Sequence, residues 1–174
     1  MIIRPVEAAD IQTIINLDLS YTTNQVWQME QKIVGDEITS SFRTISLPRP
    51  LKVESPQDWA WDEWQQSDFF AVAVEEGSVL AYIDLKVEKW RKIGWIQHLG
   101  VDVKKRRQRI GSSLIEEAKQ WGKGCRLNDL MAEIQTKNYP AIAFFQKCGF
   151  SFCGFNDHFH PLKEIAVFFA FSLG

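Results

Sequence analysis

The chain has 174 residues, a length typical of a single folded domain, and we expect one domain over residues 1–174. Hydrophobic residues make up 45% and charged residues 24% of the chain, which is close to the globular average and disfavours a disordered or coiled-coil protein. The 20 basic and 22 acidic side chains leave a net charge of −2, so no global basic field favours nucleic acid or an anionic membrane as a partner. The 7 tryptophans exceed what a core of this size needs, which predicts that some of them line a pocket or an interface.

The three cysteines, Cys125, Cys148 and Cys153, are odd in number and lack a C-x-x-C spacing. This pattern disfavours a disulfide framework and a zinc site, and we expect no metal. The longest apolar run, near the C-terminus, is far below the roughly 18 residues of a membrane span. We therefore expect a cytoplasmic protein that does not associate with a membrane.

The first 67 residues show few regular patterns. Residues 2–4 predict a short strand, and Asp10 predicts the start of a helix that runs to about Leu19. A second helix is expected around residues 26–33. One strand-like run, FRTISL, follows inside an irregular segment that contains three prolines.

Regular patterns return from residue 69 onward. Two strand-like runs flank Glu76-Gly77 and predict a hairpin. A third strand, IGWIQHLGVDV, leads directly into the basic turn KKRRQRIG and then into an amphipathic helix. The remaining runs predict a strand (DLMAEIQ), a helix at about residues 139–147 and two further strands (FSFCGF and EIAVFFAF), so the class is α/β (α+β) with one mixed sheet.

The basic turn before the helix is the most informative segment of the chain. A helix N-terminus presents unpaired N–H groups and about half a positive charge, which suits phosphate oxygens. Gly111 allows a close main-chain approach, and Arg106, Arg107 and Arg109 add positive charge. The segment matches neither GxxxxGK[ST] nor GxGxxG, which disfavours nucleoside triphosphate chemistry. A solvated basic turn or a local nucleic-acid patch is the alternative interpretation.

Read as a strand, Arg106-x-x-Arg109-x-Gly111 and a helix, this segment resembles the acetyl-CoA-binding motif of the GNAT superfamily of N-acetyltransferases. IRPVEAAD at the start and AIAFFQKCGF near residue 145 resemble two further family segments, and AEIQTKN resembles a segment of streptothricin acetyltransferase-like members. The resemblance implies the GNAT fold: a single mixed, largely antiparallel sheet of about seven strands, flanked by helices on both faces.

The resemblance implies acetyl-CoA as the cofactor, bound where two central strands splay apart. The residues that it assigns to acetyl-CoA lie on the strand before the basic turn, on the turn and at the following helices: Leu99, Gly100, Val101, Arg106, Arg107, Gln108, Arg109, Ile110, Gly111, Ser112, Asn138, Phe145 and Lys147.

Four positions depart from the family pattern. Arg109 stands where the family has the first glycine of its GxG. Gln97 and His98 replace an acidic pair, and Phe145 replaces the tyrosine that is often proposed to protonate the leaving thiolate. The identity of the acid and base is therefore open.

Glu133 is the first candidate for the general base, because it matches a family acid; a plain surface carboxylate is the alternative. His98 has a suitable ordinary pKa. However, strand alternation predicts that Trp95, Gln97 and Leu99 share one face and that His98 lies on the other. The family base usually occupies the face of Gln97, which could also orient a water.

The acceptor candidates are aromatic and acidic. Trp59, Trp61 and Trp64 lie among four acidic residues, a mixture that suits a cationic amine through charge pairing and cation–π contact; packing of a long loop is the alternative. Asp84 and Trp95 complete the predicted acceptor set.

We expect an acetyl-CoA-dependent N-acetyltransferase that moves an acetyl group to a primary amine of a small cationic acceptor, an antibiotic being one candidate, by direct attack on the thioester. The alternatives are a weakly active or inactive acyl-CoA-binding module and an acetyltransferase of protein or peptide amines. A homodimer is one candidate assembly.

Overall fold

The structure, a computed structural model, describes residues 1–55, 61–159 and 164–174. Its nine described strands form a seven-stranded sheet and a separate two-stranded ribbon. In the sheet the order is β1-β4-β5-β6-β7-β9-β8, where β6 and β7 are parallel and the other neighbours antiparallel. The sheet strands are β1 (Ile2–Pro5), β4 (Phe69–Glu75), β5 (Ser78–Glu88), β6 (Ile93–Val101), β7 (Asp129–Gln135), β8 (Ser151–Asn156) and β9 (Ala166–Ser172), and the ribbon strands are β2 (Tyr21–Val34) and β3 (Glu37–Val53).

Helices cover both faces of the seven-stranded sheet. On one face, α2 (Ile110–Gly124) and α3 (Tyr139–Lys147) bury their apolar sides in the larger core. On the other face, α1 (Ile11–Ile15) packs with Phe70 and Tyr82 in a smaller core. The expected fold, a mixed and largely antiparallel sheet flanked by helices on both faces, is confirmed. Short 3₁₀ helices span Ala8–Asp10, Trp61–Gln66 and Val103–Lys105, and no described helix is long and apolar enough to cross a membrane.

The helix predicted around residues 26–33 is wrong, because these residues belong to β2. β2 pairs with β3 over most of its length, and the aromatic pair Trp27 and Phe42 covers Phe169 of the sheet. Pairing with a distant strand and burial of two rings override the weak helical pattern, as tertiary context often does. The predicted helix from Asp10 to Leu19 is also shorter than expected, since α1 ends at Ile15.

The prolines of the irregular segment have a defined place in the ribbon. β3 contains Pro48 and Pro50, although strands usually avoid proline. The pairing register shifts between Thr23 and Gln25, and the two prolines lie opposite this shift, where they need not donate a ladder hydrogen bond. The sequence predicts an irregular segment with one strand-like run, whereas the structure places Pro48 and Pro50 inside one long strand.

Candidate active site

The two parallel strands at the centre of the sheet separate halfway along their length. Their pairing runs from Ile93 opposite Asp129 to Ile96 opposite Ala132 and ends there within the described chain. β6 continues to Val101, and β7 continues to Gln135. The edge of β6 that faces this split therefore offers main-chain groups to an extended ligand, as an exposed strand edge does.

The residues of β6 beyond the split carry the main-chain positions that the resemblance assigned to acetyl-CoA. Leu99 and Val101 pack partly against the larger core. A Cβ on Gly100 would lie 2.5 Å from Cε1 of Tyr82, so glycine allows that ring to pack against the strand. Side-chain packing thus fixes the position of residues 99–101, and their main chain forms the edge of β6 at the split.

The basic turn places the N-terminus of α2 directly after β6. The helical ladder starts with the Ser113 N–H, which donates to the Arg109 carbonyl at 3.0 Å. The N–H groups of residues 110–112 precede the ladder and project from the helix end. Arg107 and Arg109 are exposed and adopt left-handed conformations with φ of 63° and 65°. The turn therefore combines free N–H groups, the positive end of the helix and two exposed cations, a combination that suits phosphate.

Arg106 has a different role from its two neighbours. Its Nε donates to the Val101 carbonyl at 3.0 Å, and its Nη1 donates to the Ser20 carbonyl at 2.7 Å. Burial lowers the pKa of the Arg106 guanidinium. The side chain therefore ties the turn to β6 and to the entry of β2, and the predicted cofactor contact of residue 106 would have to use its main chain.

Gly111 is needed for packing between helices. A Cβ at this position would lie 3.2 Å from Cζ of Phe144 and 3.4 Å from Cγ2 of Val101. Its neighbour Ile110 is buried in the larger core. The sequence predicts that Gly111 allows a phosphate to approach the main chain. The structure shows in addition that glycine lets α2 lie close to α3.

The two ends of α3 lie near different parts of the split. Asn138, which follows the end of β7, caps the helix by accepting a hydrogen bond from the Ala141 N–H at 3.2 Å. At the other end, Cys148 Sγ lies 4.0 Å from Oγ of Ser112, so the last turn with the exposed Lys147 lies beside the N-terminus of α2.

Phe145 lies in the core. It is 6% exposed and packs between Phe144 and Phe150, with ring centroids 5.5 and 5.1 Å away. A residue so enclosed contributes mainly to packing, and it has no hydroxyl to donate. The contact of Phe145 with the cofactor stays a prediction, and the burial of this side chain does not favour it.

A β-bulge brings His98 to the acidic face of the sheet. Asp84 pairs with His98, but the next residue, Leu85, pairs with Ile96, so Gln97 is the extra residue. Residues that pair across two strands lie on the same face of the sheet. Asp84 and Lys86 share one face of β5, and they pair with His98 and Trp95, so His98 and Trp95 also share a face. The prediction that His98 and Trp95 lie on opposite faces is thus wrong, because the bulge reverses the alternation. Gln97 itself is exposed.

His98 is held by a buried carboxylate. Its Nδ1 lies 2.9 Å from Oδ1 of Asp84, which is 4% exposed. The second oxygen of Asp84 accepts a hydrogen bond from the Ser67 hydroxyl at 3.2 Å. This chain of Ser67, Asp84 and His98 fixes the imidazole, which is partly exposed, at the point where β6 leaves β7. Ser67 was missed because it lies in a segment without a recognisable pattern.

Glu133 lies across the split from His98. Leu130, Ala132 and Ile134 of β7 face the larger core, so Glu133 faces the opposite side, together with Met131, which pairs with Trp95. His98 and Glu133 therefore lie on the same face of the sheet, on the two strands that border the split. Each follows shortly after the point where the pairing between β6 and β7 ends.

Aromatic rings extend this side of the split. Phe168 pairs with Glu133, and its ring meets Trp95 edge to face at 6.0 Å. Phe159, half exposed, lies 5.6 Å from Phe168. The sequence predicted Trp95 but missed both phenylalanines, because Phe168 is placed here by the pairing of β7 with β9 and Phe159 by its contact with Phe168. Within the described residues, no group of three or more potential metal ligands occurs.

The structure describes only part of the predicted acceptor group of Trp59, Trp61 and Trp64. Trp64 packs edge to face on Phe70 at 6.5 Å and joins the smaller core, which favours the packing interpretation for this residue. Trp59 and the side chain of Trp61 lie outside the described part of the chain.

The start of the ribbon bridges the loops that follow β6 and β7. Ser20 accepts from Arg106, and seven residues later the Trp27 N–H donates to the Thr136 carbonyl at 2.9 Å. Between them, burial and the nearby Glu164 carboxylate raise the pKa of Tyr21 to about 12. The ribbon thus ties together the two strand ends that border the split.

A split between two parallel strands, with a helix N-terminus after the first of them, defines the sheet-and-turn arrangement of GNAT acetyltransferases. Solved structures share the fold: nourseothricin acetyltransferase superposes with a TM-score of 0.85 at 21% identity, covering 99% of this chain and 98% of that chain. A putative streptothricin acetyltransferase from Bacillus anthracis, solved with acetyl coenzyme A, superposes with a TM-score of 0.79 at 24% identity, covering 98% of both chains.

Residues 37–150 match the acetyltransferase (GNAT) family, and the chain belongs to this family and is an N-acetyltransferase. It resembles streptothricin acetyltransferases in sequence. The protein of that name from Streptomyces lavendulae is 25% identical over 161 residues, covering 88% of this chain and 83% of the relative. The Escherichia coli protein is 37% identical over 65 residues, which are 37% of each chain.

Proposed function

We propose that this protein, acting as one domain, transfers the acetyl group of acetyl-CoA to a primary amine of a small cationic acceptor, with streptothricin as the first acceptor to test. The observation that carries the proposal is the arrangement of His98 and Glu133 on the same side of the split, beside the rings of Trp95 and Phe168. Carboxylates and aromatic faces attract a cation. The names of the similar proteins point to the same acceptor class.

The turn and the strand edge suit the two parts of acetyl-CoA. The N–H groups of residues 110–112, with Arg107, Gln108 and Arg109 around them, would hold the pyrophosphate. The main chain of residues 99–101 would pair with the pantetheine arm in the manner of an added strand. The thioester would then lie near the point where β6 and β7 separate, within reach of His98.

The acceptor must lose a proton before it reacts. An alkyl amine with a pKa near 10.4 is only about 0.04% neutral at pH 7. We propose that His98 accepts this proton, directly or through a water, while Asp84 holds its Nδ1. The neutral amine forms a C–N bond with the thioester carbonyl, the C–S bond breaks, and the thiolate takes up the proton that the new amide nitrogen releases. Glu133 would then orient and attract the cationic amine, and Gln97 would contact water.

Steady-state kinetics of acetyl transfer, followed by thiol release, test this assignment. We expect turnover with streptothricin in a panel that also holds aminoglycosides, polyamines and N-terminal peptides. His98→Asn should lower kcat by about 100-fold, the usual contribution of a general base, and remove the acidic limb of the pH profile. Glu133→Gln should raise the KM for the amine more than it lowers kcat. Glu117→Gln serves as the matched control, because this exposed carboxylate lies in the middle of α2, on the opposite face of the sheet from Glu133.

Two results would contradict the proposal. Measurable acetyl-CoA affinity with no turnover for any amine would favour the binding-module alternative. Turnover confined to N-terminal peptides would favour the protein acetyltransferase alternative. If Glu133→Gln rather than His98→Asn removes the acidic limb, the roles of the two residues are exchanged.

A further inference from the structure

The distal end of the ribbon carries three largely exposed apolar side chains. Every residue from 30 to 41 is exposed. Ile33, Val34 and Ile38 are 68%, 74% and 66% exposed, and Ile33 pairs directly with Ile38. Isolated two-stranded ribbons are marginally stable in water, and soluble monomers rarely expose such clusters. We call Ile33, Val34 and Ile38, with the intervening turn, the ribbon tip.

The apolar pair continues the face of the ribbon that packs on the sheet. Trp27 and Phe42 lie on this face and contact Phe152. Strand alternation places Ile33 and Ile38 on the same face, farther out. The turn between them adds two acidic side chains, Asp36 and Glu37. The ribbon tip is therefore apolar and acidic.

A second surface of the same chain has the opposite character. In the turn between β5 and β6, Trp90 is 76% exposed, and the guanidinium of Arg91 lies 4.3 Å above its ring. Lys89 and Lys92 flank this pair. We call these four residues the Trp90 turn.

The neighbouring connection between α2 and β7 reinforces the positive charge. Asn128 N–H donates to the Lys92 carbonyl at 2.7 Å, which holds this connection beside the Trp90 turn. The connection carries Arg126, and the last turn of α2 carries Lys123, both exposed. The surface lies at the start of β6, at the opposite end of that strand from the split.

We propose that the ribbon tip of one copy docks on the Trp90 turn of a second copy. Ile33 and Ile38 would cover the indole ring, and Asp36 and Glu37 would lie against the lysines. The complementary charges favour this contact over a contact between two acidic tips, which would repel each other. In a two-fold dimer the contact occurs twice, so both copies lose both exposed surfaces.

Sedimentation velocity of the full chain over a concentration series tests the contact. We expect a reversible dimer whose Kd rises by at least about tenfold in Ile33→Ser and in Trp90→Ala, because each variant removes an anchor residue from both contacts. Ile2→Ser, at a comparably exposed isoleucine on β1, should leave the Kd unchanged. Circular dichroism and acetyl transfer by the monomer check that the variants fold.

A charge exchange separates this contact from other modes of association. Glu37→Lys and Lys89→Glu should each weaken the dimer, and their combination in one chain should restore much of the affinity. Mixing Ile33→Ser with Trp90→Ala should give a heterodimer that keeps one of the two contacts.

Three outcomes would overturn the proposal. The first is a wild-type chain that stays monomeric at every concentration. The second is a dimer that responds to Ile33→Ser but not to Trp90→Ala, since this would indicate contact between two tips. The third is a monomer whose Trp90 turn binds a DNA oligonucleotide or an anionic vesicle in a manner that Lys89→Glu abolishes.

Discussion

Residue 109 adopts a backbone conformation that favours glycine, yet it is an arginine. Its φ of 65° lies in the left-handed region, where a side chain costs roughly 1–2 kcal/mol. The position is the N-cap of α2, so the left-handed residue turns the chain into the helix and directs the following N–H groups outward. Arginine at this position therefore carries a conformational cost, and it places a positive charge beside the proposed phosphate site.

Glycine and alanine at position 109 separate the backbone effect from the charge. Both variants remove the guanidinium, so they should weaken acetyl-CoA binding to a similar extent. Arg109→Gly should be more stable than Arg109→Ala by about 1 kcal/mol, because glycine carries no left-handed penalty. Urea denaturation measures the difference.

Gln108 provides the comparison, since its φ is not positive. There, Gln108→Gly should be less stable than Gln108→Ala by about 0.5–1 kcal/mol. If the glycine and alanine variants have the same order of stability at both positions, this would contradict the left-handed conformation of residue 109.

The one-residue bulge at Gln97 determines which face of the sheet His98 occupies. Without it, period-two alternation would turn His98 away from Asp84 and towards the larger core. With it, a buried carboxylate and an imidazole meet at the split. The chemistry proposed for this site therefore depends on a local irregularity that alternation arguments cannot include.

At the scale of elements, the start of α3 combines two roles that can be separated. Asn138 accepts the capping hydrogen bond through Oδ1, and the resemblance predicts that it also binds the pantetheine arm. Asn138→Asp keeps the cap acceptor but loses the amide donor. Asn138→Ala loses both.

We expect Asn138→Ala to lower the free energy of unfolding by about 1 kcal/mol, the usual value of a helix cap, and Asn138→Asp to leave it nearly unchanged. Thermal denaturation measures this. If the amide donates to acetyl-CoA, both variants weaken acetyl-CoA binding in calorimetry. Unchanged acetyl-CoA affinity in Asn138→Asp would confine this residue to capping.

The ribbon shows how packing and local pattern compete over a longer element. Residues 26–33 have spacing that fits a helix, but their neighbours Thr22, Thr23 and Val34 are β-branched and favour a strand. The pairing partners lie up to 32 residues away along the chain, at Tyr21 and Val53. A short window of sequence contains no information about such a partner.

At the scale of the whole molecule, one ion pair connects the first strand to the first helix. Arg4 donates to both oxygens of Asp10 at 2.7 and 2.8 Å, and the Glu7 N–H donates to the same carboxylate at 2.8 Å. Asp10 is 7% exposed. The hydrogen bonds from Arg4 hold the pKa of the Asp10 carboxyl below its ordinary value of 3.8.

This lowered pKa predicts the sign of a pH effect. A carboxyl with a lower pKa in the folded than in the unfolded state contributes stability above the unfolded value, and that contribution disappears as pH falls through the folded value. Unfolding free energy should therefore drop below about pH 4 in the wild type. Asp10→Asn should be less stable at pH 7 and lose less stability on acidification, as measured by urea denaturation at several pH values. An equally steep acid limb in Asp10→Asn would contradict this role.

Much of the fold could be predicted because its signals are local. The run from β6 through the basic turn into α2 combines strand alternation, a charged turn and a helical apolar stripe within about thirty residues. The helix at residues 139–147 and the hairpin at Glu76-Gly77 follow from similar short-range patterns. The resemblance to the GNAT superfamily rested on these same segments.

The sequence by itself therefore determined the mixed sheet, the turn that suits phosphate and the candidate residues His98, Asp84 and Glu133. Only the tertiary structure decided that His98 faces Asp84, that Ser67 completes this chain and that Phe168 lies beside Trp95. It also decided that Phe145 belongs to the core and that Arg106 is a tether. These facts depend on strand register, on one bulge and on contacts between distant segments, which a single sequence does not encode in any local pattern.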